Sequence, residues 1–209
     1  MQKKNYFIAL TGIMGSGKTT ACNLLKQELG FHVLEETVNE NAFLPLFYKD
    51  PARWAFSLQL FFLEDRVRQL EHMASLLAEQ SVIQDSFVYQ DNFTYAKAQK
   101  ILGRMSEIEF SLYQKFFNSL LAKNLPKPDL IINLEASLPV LKQRIQKRAR
   151  GFETEVDPIY LETLHRLQQE WTKGEYKFRI VSVNTDKLDL VKNSNHKKEF
   201  VETVRDLLS

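Results

Sequence analysis

The sequence contains a single cysteine, Cys22, among its 209 residues. An intramolecular disulfide is therefore excluded, and with it the small disulfide-stapled folds. No apolar run approaches the roughly 20 residues that a transmembrane helix needs. The apolar run that follows residues 1–4 is only about six residues long, shorter than the hydrophobic region of a secretory signal. We therefore expect a soluble, cytoplasmic protein in which Cys22 packs within the first helix.

An excess of charge of one sign is also lacking, because 28 basic and 26 acidic side chains leave a formal net charge of +2. This total argues neither for nor against a nucleic acid partner, so local basic clusters are more informative. The sequence shows no repeats, no low-complexity tract and no linker. Hydrophobic residues make up 44% of the chain and charged residues 26%, which predicts one globular domain over residues 1–209.

Glycines are few, yet three of the seven fall within residues 12–19, which read Gly-Ile-Met-Gly-Ser-Gly-Lys-Thr. This matches the P-loop pattern G-x-x-x-x-G-K-[ST], and it lies between a short apolar strand at residues 6–11 and a helix at residues 20–29. A simple glycine turn is the alternative, but the strand–loop–helix context favours a phosphate site. Backbone N–H groups of such a loop surround phosphate oxygens, and the helix N-terminus adds its positive dipole end. The expected ATP-binding residues are Gly12, Ile13, Met14, Gly15, Ser16, Gly17, Lys18, Thr19 and Thr20, with Lys18 at the β- and γ-phosphates and Thr19 at Mg²⁺.

The remaining pattern alternates strands with helices, which predicts a three-layer α/β fold around a five-stranded parallel sheet. Residues 39–47 are expected to be turn-like and irregular. The other predicted strands are 31–35, 82–85, 130–134 and 179–183, and the other predicted helices are 52–77, 92–101, 106–123, 137–148, 158–173 and 197–208.

Two carboxylates follow predicted strands at the edge of the sheet where the P-loop lies. Glu36 comes directly after the second strand, and Asp85 ends the third. Parallel sheets bind ligands at the carboxyl ends of their strands. In that position Glu36 could accept a proton from a substrate hydroxyl, and Asp85 could hold Mg²⁺ directly or through water. The alternatives are a solvated loop acid for Glu36 and a helix N-cap for Asp85.

Gln59 and Arg66 are seven residues apart in a predicted helix that is otherwise rich in aromatic residues. Two helical turns separate them, so they share one face. Such a polar pair is typical of a site that hydrogen-bonds the edge of a ligand. The pattern alone slightly favours the alternative, in which both side chains face solvent.

A basic run ends the predicted helix at residues 137–148 and continues into the loop that follows it. Its members are Lys142, Arg144, Lys147, Arg148 and Arg150. A solvated basic face is the usual interpretation of such a run. Beside a P-loop it also suits a lid, at about residues 144–156, that closes over phosphates. Nucleic acid binding is a third option, although the interleaved aromatic residues that favour it are missing.

These segments together resemble the deoxynucleoside kinases, particularly the bacterial deoxyadenosine and deoxyguanosine kinases, which are related to the deoxycytidine kinases. The resemblance runs from the P-loop to about Trp171, and its most specific stretches are residues 41–44, 47–48, 53–59, 62–63, 66, 125–129, 135–138 and 144–150. It implies a P-loop kinase fold with an arginine-rich lid. It also implies transfer of a phosphoryl group from ATP, with Mg²⁺, to the 5′-hydroxyl of a deoxynucleoside in nucleotide salvage. A purine is the implied base with deoxycytidine as the alternative, the implied assembly is a homodimer, and neither a nucleic acid nor a membrane is an implied partner.

The resemblance also implies roles for single residues. Glu36 is similar to the base that takes the proton from the sugar 5′-hydroxyl. Gln59 is similar to the glutamine that pairs with the nucleobase edge, and Arg66 with Asp91 to the pair that shapes the base pocket. The resemblance further implies that Tyr48 and Glu153 bind the sugar 3′-hydroxyl and that Trp54 and Phe62 form walls of the base pocket. It also implies lid arginines that neutralise the transferring phosphoryl group, namely Arg144, Arg148 and Arg150.

The chain departs from the family pattern after the third strand, where many members have an acid, an arginine and a serine. Here the order is Asp85, Ser86 and Phe87, so the acid is kept and the arginine is missing. We expect the lid arginines to supply more of the positive charge in consequence. Two rival functions stay open. The first is a nucleoside monophosphate kinase, which would need a basic site for an acceptor phosphate; the second is a nucleotide-binding protein of kinase fold that has lost catalysis.

Overall fold

The computed structural model describes residues 4–37, 40–123, 125–148, 156–174 and 177–208 of the chain. Its centre is a five-stranded, all-parallel sheet in the order β2-β3-β1-β4-β5. The strands are Phe7–Thr11 (β1), His32–Leu34 (β2), Val82–Asp85 (β3), Leu130–Glu135 (β4) and Ile180–Asn184 (β5). The sequence prediction of five parallel strands is confirmed, with each boundary within one residue of the predicted position.

Nine α-helical segments connect and cover these strands within the described residues. They are Lys18–Leu29 (α1), Phe43–Lys49 (α2), Pro51–Glu79 (α3), Val88–Gln90 (α4), Lys97–Ile101 (α5), Glu107–Leu121 (α6), Leu138–Arg148 (α7), Pro158–Thr172 (α8) and Ser194–Leu208 (α9). A π-helical turn, Asp91–Ala96, joins α4 to α5. The expectation of irregular structure at residues 39–47 is wrong, because α2 begins inside that range.

The two faces of the sheet bury different helices, as the alternation of side chains along β1 shows. Phe7 and Ala9 lie on one face, in a core cluster with α3, α6 and Trp171 of α8. Ile8 and Leu10 lie on the other face, against α1 and α9. All four side chains are fully buried. A strand with both faces covered needs a continuous apolar sequence, and residues 7–10 have one.

Helix α3 spans 29 residues and carries several of the predicted site residues. Its start agrees with the sequence, because the Asp50 side chain accepts a hydrogen bond from the N–H of Arg53 at 3.1 Å and Pro51 occupies the first turn. Its buried residues recur at helical spacing and include the polar side chains of Gln59, Asp65 and Arg66. A helix that buries polar groups beside its apolar stripe indicates a site rather than a purely structural face.

A third apolar cluster lies under the P-loop, where Ile13 packs with residues of α2, α3, α7 and α8. Leu141 and Ile145 supply the buried face of α7, as the sequence predicts. The predicted packing of Cys22 in the first helix is also confirmed, since its side chain is buried. Within the described ranges, the helices are all too short or too polar to cross a bilayer.

Candidate active site

The P-loop connects β1 to α1, and its glycines adopt backbone conformations that other residues rarely reach. Gly12, Gly15 and Gly17 have φ angles of 134°, 83° and 101°. A Cβ atom on Gly12 would lie 2.5 Å from the carbonyl oxygen of Leu134 and 2.6 Å from Ser16 Oγ. A side chain at position 12 is thus excluded by both strain and space, so the loop requires glycine there.

Lys18 and Gln90 both bind the carbonyl oxygen of Gly12. Lys18 Nζ donates to it at 2.7 Å, and Gln90 Nε2 donates to it at 2.9 Å. Gln90 Oε1 also accepts a hydrogen bond from the Gly12 N–H at 3.0 Å. The sequence did not predict Gln90 as a site residue; its only signal was its place directly before Asp91.

Asp85 lies beside the P-loop because β3 pairs with β1 in a register that sets Asp85 opposite Leu10. The Thr19 hydroxyl donates to Asp85 Oδ2 at 2.9 Å, while Oδ1 is buried and has no hydrogen-bond partner in the described ranges. Burial raises the pKa of the Asp85 carboxyl, although the nearby Lys18 charge acts in the opposite direction. Asp85 therefore ends its strand with a carboxylate oxygen available to a ligand, and the helix N-cap interpretation is wrong because Phe87 precedes α4.

Glu36 follows β2 and is bound by Arg66, whose side chain is completely buried. Arg66 Nη2 lies 2.6 Å from Glu36 Oε1, Nη1 lies 3.2 Å from Asp65 Oδ2, and Nε lies 3.2 Å from Asp91 Oδ2. Glu36 is not a freely solvated loop acid, since its carboxylate is held by this guanidinium and its side chain is only 26% exposed. One arginine of α3 thus joins the end of β2 to the π-helical turn.

Two members of this cluster, Asp91 and Arg66, have shifted pKa values. Burial raises the pKa of Asp91 to about 6, although the Arg66 charge acts to lower it. Burial acts to lower the pKa of Arg66, but the charges of Asp91, Glu36 and Asp65 outweigh this effect and raise it. At neutral pH the buried Asp91 carboxyl is therefore mostly ionised beside the permanent positive charge of Arg66.

Gln59 and Arg66 are both buried, so the solvent-facing alternative for this pair is wrong. Gln59 is 1% exposed, and within the described part of the chain its Oε1 atom has no hydrogen-bond partner. Nearly all buried polar atoms in proteins are hydrogen-bonded, so an isolated acceptor such as this indicates a ligand donor. The side chain belongs to the same buried face of α3 as Arg66.

Aromatic side chains pack together around this polar pair. Tyr48, Trp54 and Phe62 are each partly buried against the apolar cluster under the P-loop. The Arg66 guanidinium lies over the Phe62 ring, 5.9 Å from its centre. Trp54 contacts Phe43, with 5.9 Å between the ring centroids. Flat aromatic surfaces beside a hydrogen-bonding amide suit a planar ligand.

The two described arginines of the basic run differ in their surroundings. Arg144 binds the residue after β5, because Nη1 donates to Thr185 Oγ1 at 2.9 Å and Nη2 donates to the Thr185 carbonyl at 2.6 Å. Nη1 also lies 3.4 Å from the carbonyl oxygen of Ser16 in the P-loop. Arg148 ends α7 with an exposed side chain. Arg150 and Glu153 lie outside the described residues, and most of the predicted lid does as well.

Comparisons with known proteins agree on one family. A family model described as "Deoxynucleoside kinase" matches residues 8–209. The chain is 34% identical to a deoxyguanosine kinase of Bacillus subtilis (strain 168), covering 97% of both chains. It is 30% identical to a deoxyadenosine/deoxycytidine kinase of the same organism, covering 98% of this chain and 94% of the relative. The solved deoxyadenosine kinase of M. mycoides with bound dATP superposes with a TM-score of 0.81 at 26% identity, over 98% of this chain and 99% of the other.

Proposed function

We propose that this chain, which belongs to the deoxynucleoside kinase family, transfers the γ-phosphoryl group of ATP to the 5′-hydroxyl of a purine deoxynucleoside. The product would be the 5′-monophosphate, and the role would be nucleotide salvage. Deoxycytidine is the alternative acceptor, since one of the relatives is named a deoxyadenosine/deoxycytidine kinase.

The observation that carries this proposal is the Glu36–Arg66 ion pair at the P-loop edge of the sheet. Glu36 is the proposed base that removes the proton of the 5′-hydroxyl as its oxygen attacks the γ-phosphorus. The buried guanidinium of Arg66 fixes the direction of the carboxylate, and a fixed direction is what a general base needs.

The P-loop, Lys18, Thr19 and Asp85 form the proposed ATP site. Backbone N–H groups of the P-loop after Gly12 would bind the phosphate oxygens, since the Gly12 N–H itself donates to Gln90 Oε1, and Lys18 would neutralise the charge on the β- and γ-phosphates. The Thr19 hydroxyl and the unpartnered Asp85 Oδ1 fit Mg²⁺, which takes one or two protein oxygens and fills its other positions with phosphates and water. When bound, the ion would offset part of the negative charge of the phosphates.

The acceptor pocket is proposed to lie between α2, α3 and the π-helical turn. Gln59 Oε1 would accept from the nucleobase edge, because this oxygen has no hydrogen-bond partner among the residues that the structure describes. Trp54 and Phe62 would contact the faces of the base, and Arg66 with Asp91 would limit the far end of the pocket. Tyr48, together with Glu153 outside the described residues, is proposed to bind the sugar 3′-hydroxyl.

The lid at about residues 144–156 remains part of the proposal. Arg144, Arg148 and Arg150 would neutralise charge on the transferring phosphoryl group when the lid closes. Ser86, which stands where many family members have an arginine, is buried and supplies no cation. The lid arginines and Lys18 would then carry a larger share of the transition-state charge.

A homodimer in the cytoplasm completes the proposal. Ile108, Leu112 and Phe116 are 83%, 42% and 44% exposed, and they recur every four residues along one side of α6. Such an apolar stripe suits burial against a second copy of the same helix. The buried free thiol of Cys22 suits a reducing compartment.

The experiment that tests the function is a panel of four deoxynucleosides, each incubated with ATP and Mg²⁺. The proposed function predicts a 5′-monophosphate and ADP in equal amounts, with deoxyguanosine or deoxyadenosine as the best acceptor. Lys18→Ala is the matched control, because it removes the phosphate-binding charge from an otherwise identical chain. Absence of product from all four acceptors, with ATP binding intact, would favour the rival protein that binds nucleotides without catalysis.

A further inference from the structure

Gln90 holds both backbone polar groups of Gly12 with one side-chain amide. Its Oε1 accepts from the Gly12 N–H at 3.0 Å, and its Nε2 donates to the Gly12 carbonyl at 2.9 Å. The Gln90 side chain is fully buried, and Gly12 is buried as well. Only an amide can accept and donate in this way, since a carboxylate lacks the donor and an apolar side chain lacks both groups. The first residue of the P-loop is thus fixed from a segment 78 residues away in the sequence.

The carbonyl that Gln90 binds is also the partner of Lys18, whose Nζ donates to it at 2.7 Å. To reach the β- and γ-phosphates of ATP, a P-loop lysine must give up such a contact. A buried carbonyl left without a donor is unfavourable, and in a buried loop water does not readily replace the lost partner. Gln90 Nε2 remains on this carbonyl after Lys18 has left it.

We propose that Gln90 is a positioning residue of the P-loop: it keeps the Gly12 carbonyl hydrogen-bonded while Lys18 moves to the phosphates of ATP. The inference rests on the proposed function only in taking ATP as the ligand. Gln90 ends α4, and the next residue, Asp91, begins the π-helical turn and pairs with Arg66. Short π-helical segments occur frequently at functional sites. The junction of α4 with this turn places the P-loop contact of Gln90 and the Arg66 contact of Asp91 on consecutive residues.

The test is Gln90→Met, which keeps the length of the side chain and removes both hydrogen bonds. In this variant the departure of Lys18 leaves the Gly12 carbonyl without a donor, so binding of ATP with Mg²⁺ should weaken by about 10-fold. The dissociation constant of the deoxynucleoside, measured without ATP, should stay unchanged. Titration calorimetry with each ligand separately gives both constants.

Gln168→Met is the matched control, because Gln168 is also a buried glutamine with two side-chain hydrogen bonds. It accepts from Thr94 Oγ1 at 2.9 Å and donates to Asn133 Oδ1 at 2.8 Å, and it is 5% exposed. Both variants should lower the melting temperature, but only Gln90→Met should weaken ATP binding. If Gln90→Met loses stability while its affinity for ATP equals that of the wild type, the role of Gln90 is structural and the inference is overturned.

A second variant, Gln90→Leu, decides the question if Gln90→Met does not fold. Leucine removes both hydrogen bonds to Gly12 without adding a charge near the phosphates, so ATP affinity should again fall. Wild-type affinity in this variant would show that the carbonyl contact is unnecessary. These binding measurements do not require that the protein phosphorylates a deoxynucleoside. A wild-type protein that binds ATP but phosphorylates no deoxynucleoside would overturn the proposed function, while the comparison of variants would still decide the role of Gln90.

Discussion

Glu36 is the proposed general base, so among single residues it should affect phosphoryl transfer most directly. Replacing it by glutamine keeps the size and polarity of the side chain and removes its ability to accept a proton. We expect Glu36→Gln to lower kcat by about 10²- to 10⁴-fold, the usual contribution of a general base, with little change in deoxynucleoside KM. Steady-state kinetics at saturating ATP measures both parameters.

Glu35→Gln is the control for that substitution, because Glu35 is the exposed neighbour of Glu36. Its kcat should equal that of the wild type. If Glu36→Gln changes only KM, then Glu36 binds the substrate and another group, Glu35 among them, removes the proton.

Asp91 is a single residue that should make the free energy of unfolding depend on pH. Burial raises its pKa to about 6, above the value of 3.8 for an unperturbed aspartate. Between these two values the folded state binds the proton and the unfolded state does not. The contribution of Asp91 to the free energy of unfolding is therefore fully present below the unfolded pKa and is lost as the pH rises through about 6.

Asparagine at position 91 does not titrate, so Asp91→Asn removes this dependence. Between pH 4 and 6 the free energy of unfolding of the variant should rise relative to that of the wild type, by about 3 kcal/mol at most. Urea unfolding of both proteins across this range measures the difference. A difference that is constant with pH would show that the Asp91 pKa is the same in the folded and unfolded chain.

At the scale of secondary-structure elements, helix α7 ends in Arg148, which is proposed to act as part of the lid. If Arg148 contacts the phosphates only when the lid closes, its charge acts mainly in the transition state. Arg148→Ala should then lower kcat and kcat/KM together, by about 10²-fold, with deoxynucleoside binding nearly unchanged. The absence of an arginine at Ser86 should increase the loss, because fewer cations share the developing charge.

The control for this element is Lys147→Ala, which removes an exposed cation from the adjacent position of the same helix. Its kinetics should match those of the wild type. Unchanged kcat in Arg148→Ala would identify the basic run as an ordinary solvated face.

The elements also show which parts of the fold a sequence can predict. The strands were predicted from short stretches with apolar residues between the helices, and β1 and β4 are the nearly continuous apolar runs that a parallel sheet buries on both faces. Helix α2 was missed because residues 39–47 were interpreted as turn-like and irregular. Pro45 falls in the first turn of α2, where backbone N–H groups have no intrahelical partner and proline is tolerated. The side chain of Asn41 accepts from the N–H of Phe43 at 3.0 Å and helps to start this helix.

In the candidate site, motifs of neighbouring residues could be predicted from the sequence, whereas contacts between distant residues could not. The P-loop was predicted because its motif is local, and Asp85 and Glu36 because strand ends of a parallel sheet meet at one edge. The Arg66–Glu36 contact spans 30 residues and the Gln90–Gly12 contact spans 78. Neither contact has a local pattern, because each depends on how α3 and α4 pack against the sheet.

At the scale of the whole molecule, the apolar stripe of α6 determines the expected assembly. Ile108→Glu places a charge on its most exposed member, and a charge without a partner at a buried interface is unfavourable. We expect the wild type to sediment as a dimer and Ile108→Glu to sediment as a monomer or to associate at least 10-fold more weakly. Analytical ultracentrifugation over a range of concentrations measures the association constant.

Asn118→Glu adds the same charge to an exposed position of α6 outside the stripe, so the dimer should persist in this variant. A wild-type protein that stays monomeric at micromolar concentration would show that the stripe does not join two copies of the chain.

The comparison of deoxyguanosine with its 5′-monophosphate as acceptors, under identical conditions with ATP and Mg²⁺, tests the central claim most directly. The proposed acceptor pocket would contain the carboxylates of Glu36 and Asp91 beside Arg66, so it should suit a neutral sugar hydroxyl better than a second phosphate. We predict that deoxyguanosine is converted to its 5′-monophosphate, with the new phosphate on the 5′-oxygen in the ³¹P NMR spectrum, and that the monophosphate is not phosphorylated. Conversion of the monophosphate to the diphosphate, with deoxyguanosine left unchanged, would contradict the proposed role of Glu36 and favour a nucleoside monophosphate kinase.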